Sequence, residues 1–289
     1  SVMIFGCGYV GTALAEQLLA AGVRVGALTR NAEKAERLRA LGLSEVVVAE
    51  LYGSTWHAQV SGDYVGVVNC VSSAGGGIDG YRKSYLEGQR SILNWARGRG
   101  IQIYAYTSST SVYPQDGGVR VDETADTTDA PPTGQVLCES EQLLAEAAGE
   151  LGAWTVLRLA GIYGPQRHYL LDLLRSGESV IPGVGDTLLN LIHRDDIVRA
   201  LCAVLAQGQP ETSGIYNVSD NQPPTKVELV AWLAEQLGRA APVFDPDTVS
   251  PRLKRRGGRM PSRHISNRKF CETFDWEPRH PDFRAGYAG

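Results

Sequence analysis

The sequence lacks any apolar run long enough to cross a membrane. A transmembrane helix needs about 18 or more consecutive apolar residues, and no segment approaches that length. The chain opens on a short apolar run with no basic region and no cleavage site, so we expect no signal peptide. These absences predict a cytoplasmic protein without a membrane partner.

Cysteine is scarce, and its number is odd. The chain has five cysteines, scattered as Cys7, Cys70, Cys138, Cys202 and Cys271. An odd, dispersed set fits a reducing compartment better than a disulfide framework. No cysteine or histidine pair has the spacing of metal ligands, so we expect no metal site.

The chain also lacks a strong excess of one charge. Its formal net charge of -4 gives no reason to expect nucleic acid as a partner. The charge is nevertheless uneven, because residues 252–269 hold eight Lys or Arg and no acid. This basic segment could attract an anionic ligand or could be a solvated loop, and the sequence leaves both possibilities open.

What the chain does contain is an alternation of apolar runs and amphipathic segments, which is typical of βαβ units and a parallel sheet. We predict an α/β fold: a doubly wound parallel Rossmann sheet with a smaller C-terminal subdomain that caps the substrate. The cofactor domain would comprise residues 1–165 and roughly 189–218, and the cap would comprise 166–188 and 219–289. Helices are expected at residues 81–97 and 139–149, among others, and long loops at 115–133 and 242–263.

A glycine-rich turn follows the first apolar run: Gly6-Cys7-Gly8-Tyr9-Val10-Gly11. This G-x-G-x-x-G pattern lies between a predicted strand and a predicted helix, which is the context of a dinucleotide-binding turn. The first glycine permits the tight turn, the second lets the backbone approach a pyrophosphate, and the third allows close helix–strand packing. The alternative is an ordinary tight turn between a strand and a helix.

The end of the second strand bears on the choice between NAD(H) and NADP(H). NAD enzymes place an Asp or Glu there to bind the ribose 2′-hydroxyl. Here the residues are Thr29, Arg30 and Asn31. Because a guanidinium can bind a 2′-phosphate that a carboxylate would repel, NADP(H) is favoured over NAD(H). Alternatively, Arg30 is a solvated surface charge.

A run of hydroxyl residues ends the fifth predicted strand, Thr107-Ser108-Ser109-Thr110-Ser111. The carboxyl ends of strands line the ligand crevice of a doubly wound sheet. Hydroxyls at this edge can hydrogen-bond a substrate carbonyl or alcohol, although Ser and Thr also simply favour turns.

Taken with later motifs, the chain resembles the extended or atypical short-chain dehydrogenase/reductase family, particularly its sugar-nucleotide epimerase/dehydratase branch. The resemblance runs nearly end to end. Besides the glycine turn, its motifs are residues 108–113 (SSTSVY), 157–165 (LRLAGIYGP), 193–197 (HRDDI), 216–220 (YNVSD) and 276–278 (WEP).

The resemblance implies roles for matching positions. Ser109 would polarise the reacting oxygen of the substrate. The remaining positions would contact the cofactor: Glu50 and Leu51 at the adenine, Cys70, Val71 and Ser72 along the ribose, and Ala160, Gly161 and Ile162 beside the nicotinamide.

The resemblance fails at the family's acid/base pair, a tyrosine followed four residues later by a lysine. Alignment on the helix that contains Glu139 to Leu144 puts Thr133 in the tyrosine position and Leu137 in the lysine position. No Tyr or Lys occurs between Pro114 and Ala145, so a small shift of register does not restore the pair.

Tyr85 is the best substitute proton donor, because alignment places it where the family has an active-site Asn. Tyr81 lies four residues earlier on the same helical face. An ordinary phenol has a pKa of about 10, and at pH 7 it donates a proton far better than it accepts one. The alternative is an aromatic residue packed under the sheet. Tyr113 and Tyr163 are weaker candidates.

Three further polar residues have a structural explanation beside a functional one. Arg167 and His168 follow the Gly-Pro turn where substrate pockets commonly open, but they can also be surface residues. His193, near two aspartates, suggests a proton relay, yet capping of the next helix explains it better.

Two functions remain open on the sequence. The first is an NADP(H)-dependent oxidoreductase or epimerase-like enzyme acting on a carbonyl or alcohol of a small molecule, which could be anionic or nucleotide-linked. The second is a non-catalytic NADP(H)-binding sensor or regulatory protein, suggested by the missing pair. A homodimer through residues 81–97 and 139–149 is possible.

Overall fold

The computed structural model describes residues 1–73, 75–249 and 260–288. The strands are β1 (Val2–Phe5), β2 (Val25–Thr29), β3 (Glu45–Val48), β4 (Gly66–Asn69), β5 (Ile103–Ser109), β6 (Arg120–Val121), β7 (Ala153–Leu159), β8 (Gly161–Tyr163), β9 (Val180–Pro182), β10 (Leu191–His193), β11 (Gly214–Val218), β12 (Val243–Asp245) and β13 (His264–Ile265).

The helices are α1 (Tyr9–Ala20), α2 (Ala32–Ala40), α3 (Gly77–Arg82), α4 (Gly88–Ala96), α5 (Pro132–Glu146), α6 (Tyr169–Arg175), α7 (Arg194–Gln207), α8 (Lys226–Gln236), α9 (Arg268–Phe274) and α10 (Phe283–Tyr287). A π-helical segment, Lys83–Glu87, joins α3 to α4. Among these described helices, none is long and apolar enough to cross a membrane.

Seven parallel strands form the central sheet, in the order β3-β2-β1-β4-β5-β7-β11. β1 pairs with β2 on one side and with β4 on the other, so the strand order reverses at β1. The crevice beyond the carboxyl ends of strands at such a switch point is where open α/β sheets bind ligands. The predicted doubly wound Rossmann sheet is confirmed.

Hydrophobic cores cover both faces of the sheet. Alternate residues of β1 point to opposite faces, with Ile4 in the core beneath α1 and α7 and Phe5 in the core beneath α4 and α5. Strands that are buried on both faces read as continuous apolar runs, which is why β1 and β4 were recognisable in the sequence.

A third core lies among α6, α8, α10 and β9, in the C-terminal part of the chain. Leu171, Ile181, Leu229 and Phe283 contribute to it. Phe270 and Phe274 of α9 instead pack in the core beneath α1 and α7. The predicted division into two units stays a prediction.

The prediction that residues 139–149 form a helix placed its start too late, because α5 begins at Pro132. Proline is favoured in the first turn of a helix, where its missing N–H costs no hydrogen bond. The weak helix formers Thr133 and Gly134 hid this start. Thr133, which alignment puts in the family's tyrosine position, therefore lies on the first turn of a helix.

The two predicted loops also contain strands. β6 lies inside residues 115–133 and pairs with β13, while β12 lies inside 242–263 and pairs with β9. These strands have two or three residues each, and their partners are more than 60 residues away, so no local pattern reveals them. Most of the basic segment, including Lys254, Arg255, Arg256 and Arg259, lies outside the described residues.

Candidate cofactor and substrate site

The glycine turn has the geometry of a dinucleotide cradle. Gly6 has a φ of 88°, and a Cβ on it would lie 2.6 Å from the Val71 backbone nitrogen. A Cβ on Gly11 would lie 2.5 Å from the Gly6 carbonyl oxygen, so strand and helix meet closely there. Around Gly8, by contrast, the nearest atom to such a Cβ is 4.0 Å away. The first and third glycines are required by the fold, and the second leaves the backbone open to a ligand.

The amino terminus of α1 is suited to binding an anionic ligand. Gly8 caps the helix without a side-chain hydrogen bond, and the first turn has no acidic residue. The first amides of a helix have no acceptor within it, so those of Tyr9, Val10 and Gly11 can bind a phosphate. Cys7 is buried beneath the turn, and burial raises the pKa of its thiol to about 12, so this side chain stays neutral.

Arg30 lies exposed at the carboxyl end of β2, as predicted. Thr29 is buried and accepts a hydrogen bond from the Asn31 amide, and Asn31 caps α2 by accepting from the Lys34 amide at 2.8 Å. These bonds fix the turn that carries Arg30. The sequence analysis missed Lys34, which is close enough to the Cys7 thiol to oppose the rise in its pKa.

The ends of the neighbouring strands give the other predicted cofactor positions. Glu50 is exposed after β3, whereas the Leu51 side chain is buried against Gly88 of α4. After β4, Cys70 is buried, Val71 is half-buried against the glycine turn and Ser72 is exposed. The chain therefore reaches the protein surface at Ser72, beside the glycine turn.

Ser109 ends β5 and begins a short 3-10 turn, Thr110–Val112. Its hydroxyl oxygen accepts a hydrogen bond from the Ser111 amide at 3.2 Å, and the residue is half-buried. The Ser111 amide hydrogen-bonds to a lone pair of the Ser109 oxygen and does not involve the hydroxyl hydrogen. That hydrogen is therefore available to donate to a substrate oxygen.

The first turn of α5 lies beside this serine turn. A Cβ on Gly134 would be 3.0 Å from the Ser111 carbonyl oxygen, and half-buried Thr133 is its neighbour. Leu137 is fully buried in an apolar cluster with Val112 and Tyr113. The predicted lysine position is therefore filled by a side chain that belongs to the core.

Tyr85 lies in the π-helical segment, and its ring centroid is 4.4 Å from that of Tyr81. The Tyr85 hydroxyl oxygen accepts a hydrogen bond from the Ser73 amide at 3.2 Å. Ser73 belongs to the loop that leaves β4, so the phenol is at the carboxyl edge of the sheet. The ring also packs against the apolar clusters on this face, so both interpretations of Tyr85 have structural support.

The two weaker tyrosine candidates, Tyr113 and Tyr163, are both buried. The Tyr113 hydroxyl donates to the side-chain oxygen Oδ1 of Asn217 at 2.8 Å and accepts from Arg158 at 2.9 Å. Tyr163 stacks on Tyr287, and its hydroxyl contacts the Asp282 carbonyl oxygen at 3.3 Å. Burial raises the pKa of both phenols, and both hydroxyls have hydrogen-bond partners within the protein.

On the opposite side of the crevice, the segment after β7 holds the predicted nicotinamide neighbours. Ala160 is buried, and its amide donates to the Val218 carbonyl oxygen. Gly161 is exposed at the start of β8, and Ile162 is half-buried. A Cβ on Gly161 would lie 2.9 Å from the Asn190 carbonyl oxygen, so the backbones meet closely here.

His193 and Asp196 hold the end of the chain against α7. The His193 Nδ1 atom accepts from the Asp195 amide as the helix cap. The buried Asp196 carboxylate accepts from the amides of Arg279 and His280, and from His280 Nδ1 at 2.8 Å. Although the ligand atoms of His193, Asp196 and His280 lie within 4.8 Å of one another, these bonds already account for the cluster.

Residues 2–219 match the NAD dependent epimerase/dehydratase family. The chain belongs to that family. Its members are NAD(P)-dependent oxidoreductases and epimerases, and the suspected relationship to extended short-chain dehydrogenase/reductases is thereby confirmed.

One characterised relative is a ketoreductase of Stigmatella aurantiaca that acts on 4-hydroxy-2-methyl-3-oxo-4-farnesyl-3,4-dihydroquinoline-1-oxide. It is 26% identical over 250 residues, which cover 82% of this chain and 73% of the relative. As a ketoreductase, that relative reduces a ketone.

Solved structures agree over nearly the whole chain. A conserved protein of unknown function from Silicibacter pomeroyi is 25% identical, with a TM-score of 0.78, covering 99% of this chain and 96% of its own. A UDP-glucuronic acid 4-epimerase from Bacillus cereus, in complex with UDP-glucuronic acid and NAD, has a TM-score of 0.82 at 16% identity. It covers 99% of this chain and 98% of its own, and it shares the fold.

Proposed function

We propose that the protein is an NADP(H)-dependent oxidoreductase that interconverts a carbonyl and an alcohol on a small molecule, with Ser109 holding the reacting oxygen. The observation that carries this proposal is the position of Ser109. Ser109 is the last residue of β5, so it lies at the same edge of the sheet as the glycine turn. It is also beside the first turn of α5.

The residues present fit a dinucleotide. Gly6 and Gly11 form the tight turn, Gly8 leaves the backbone open, and the uncapped amides of α1 would hold the pyrophosphate. Ser72 and Gly161 would flank the nicotinamide half. The nicotinamide, once bound, would supply or accept the hydride.

Ser109 would act on the substrate oxygen. As a carbonyl is reduced, negative charge develops on its oxygen, and a hydroxyl donor placed beforehand stabilises that charge. The amide of Ser111 orients the Ser109 hydroxyl by donating a hydrogen bond to its oxygen. The protein would thus place one fixed donor at the reacting atom.

The proton that completes reduction must come from a donor other than the family's tyrosine. Thr133 occupies that position but has an alcohol pKa far too high for efficient proton transfer. Tyr85 at the carboxyl edge, or water, would supply the proton. Loss of general acid help typically costs about 10² to 10⁴-fold in rate, so we expect slow turnover.

The proposed substrate is a ketone or alcohol, in line with the ketoreductase relative. A nucleotide-linked sugar is the alternative, since a neighbour of the same fold binds UDP-glucuronic acid. An assay of NADPH oxidation across aldehydes, ketones and nucleotide sugars would separate these classes.

The decisive experiment compares Ser109→Ala with Ser176→Ala, an exposed serine at the end of α6. We expect Ser109→Ala to lower kcat about 10² to 10³-fold without changing the Kd for NADPH. Ser176→Ala should behave as wild type. Tight NADPH binding without turnover of any substrate would instead favour a non-catalytic sensor.

The preference for NADP(H) would rest on Arg30, with Lys34 as a second cation near the glycine turn. Arg30→Ala should reduce the ratio of NADP(H) to NAD(H) affinity about tenfold or more, because it removes a charge-assisted hydrogen bond to the 2′-phosphate. Arg37→Ala, on the exposed side of α2 and paired with Glu33, is the control. An unchanged ratio in Arg30→Ala would contradict the assignment.

A homodimer through α4 and α5 stays a prediction. Their exposed residues include the polar Arg90, Asn94 and Gln142, so such an interface would depend on hydrogen bonds and charge. Light scattering at several protein concentrations would establish the oligomeric state.

A further inference from the structure

Tyr9 links the cofactor turn to the C-terminal part of the chain. It is the first residue of α1, directly after Gly8, and its hydroxyl donates to the Pro165 carbonyl oxygen at 2.8 Å. Two guanidinium groups share its ring: the central carbons of Arg167 and Arg194 are each 5.3 Å from the ring centroid. Two cations are thus held over one residue of the dinucleotide turn.

The loop that carries Arg167 has a backbone conformation that brings it close to Tyr9. The Arg167 amide donates to the Gly164 carbonyl oxygen at 3.0 Å, which closes a tight turn, and Gln166 within it has a left-handed φ of 62°. A non-glycine residue in that region is strained, and such strain concentrates at functional sites. A Cβ on Gly164 would lie 3.0 Å from the Tyr9 hydroxyl, so only glycine lets the loop come this near.

The positive charge at this place is not balanced. Arg194 Nε donates to Asp195 at 2.8 Å, but no described carboxylate pairs with Arg167. The neighbouring His193 adds no charge at pH 7, because burial and the nearby His280 lower its pKa to about 4. The amino terminus of α1 contributes further positive potential. Two guanidiniums repel each other, and an anion would relieve that repulsion.

We propose that Arg167 and Arg194 bind a diphosphate at the opening between the glycine turn and the C-terminal part of the chain. Guanidinium groups bind phosphate oxygens bidentately, and a diphosphate is long enough to engage both. The inference rests on the proposed function, because the diphosphate would belong either to the dinucleotide cofactor or to a nucleotide-linked substrate.

The test measures binding to wild type, Arg167→Ala, Arg194→Ala and the double variant, with Arg175→Ala as the control. Arg175 is an exposed arginine on α6 and lies 3.9 Å from Asp172. The probes are NADPH, ADP-ribose, and UDP added to NADPH-saturated protein, each titrated at low and high NaCl. We expect each single variant to weaken diphosphate binding about tenfold at low salt, with a smaller loss at high salt.

The probes separate the two sources. Weaker NADPH and ADP-ribose binding assigns the pair to the cofactor, whereas weaker UDP binding alone assigns it to the substrate. If the double variant binds all three probes as Arg175→Ala does, while wild type binds NADPH, the inference is wrong and the proposed function survives. A wild type that binds none of the probes would overturn both.

Discussion

Glu141 and Arg158 form an ion pair inside the protein, with Arg158 Nη2 2.6 Å from Glu141 Oε2 and side chains only 3% and 6% exposed. Burial acts to lower the pKa of Arg158, but the hydrogen bonds and charge of Glu141 outweigh burial and raise it. Ser108 donates to the same carboxylate, and Arg158 also donates to Tyr113. The pair ties α5 to β7 directly behind the serine turn.

Glu141→Gln should destabilise the protein by about 3 to 5 kcal/mol, because it leaves the Arg158 charge buried without a counter-charge. Urea unfolding would measure the loss. Glu139→Gln, which breaks the exposed Arg82 pair from the same helix, should cost less than about 1 kcal/mol. Equal losses in the two variants would show that the buried pair has no special weight.

Gly6→Ala should abolish dinucleotide binding, because the new Cβ would lie 2.6 Å from the Val71 backbone and φ is positive. Gly22→Ala is a matched control: its φ of 75° is also left-handed, but nothing lies within 4 Å of the added carbon. It should cost about 1 to 2 kcal/mol of stability and keep binding intact. Calorimetry with NADPH, alongside thermal unfolding, separates the two effects; retained binding in Gly6→Ala would contradict the cradle.

Tyr85→Phe should lower kcat about 10² to 10⁴-fold while leaving the NADPH Kd unchanged, because it removes a proposed proton donor but keeps the ring. Tyr81→Phe, in the adjacent ring whose centroid is 4.4 Å away, should keep most activity. Steady-state kinetics with an active substrate would measure both. If Tyr85→Phe turns over as fast as wild type, water supplies the proton.

Asp220 makes stability depend on pH. Burial raises its pKa to about 8, the charges of Asp282 and Asp196 add to the rise, and a hydrogen bond from the Gln222 amide opposes it. The unfolded chain releases this proton near pH 4, about the ordinary value. Between about pH 4 and pH 8 the folded protein therefore binds more protons, and this group makes stability fall as pH rises.

Asp220→Asn removes this titration, so the variant should gain on wild type as pH rises from about 5 to about 8, by up to a few kcal/mol. Urea unfolding at a series of pH values measures the difference. A constant difference across that range would show that Asp220 is ionised in the folded protein.

Much of the fold could be predicted from the sequence, whereas the roles of the candidate site residues stay predictions. The glycine turn, β1 and β4 were visible because buried parallel strands are continuous apolar runs and because Gly6 and Gly11 have local geometric reasons. The hydroxyl run predicts that Ser109 lies at a strand end, and it is the last residue of β5. The start of α5 and the strands β6 and β12 were missed, since a short strand is stabilised by a distant partner and leaves no local period.

By itself, the sequence determined the strand–turn–helix at the amino terminus and the absence of Tyr and Lys between Pro114 and Ala145. Only the tertiary structure decided that Leu137 belongs to a core cluster, that Tyr113 is bound to Arg158, and that Arg167 and Arg194 meet over Tyr9. The physical reason is how far apart in sequence the interacting groups lie. Backbone conformation and apolar periodicity are set by neighbours in sequence, whereas burial and charge pairing depend on groups that only folding brings together.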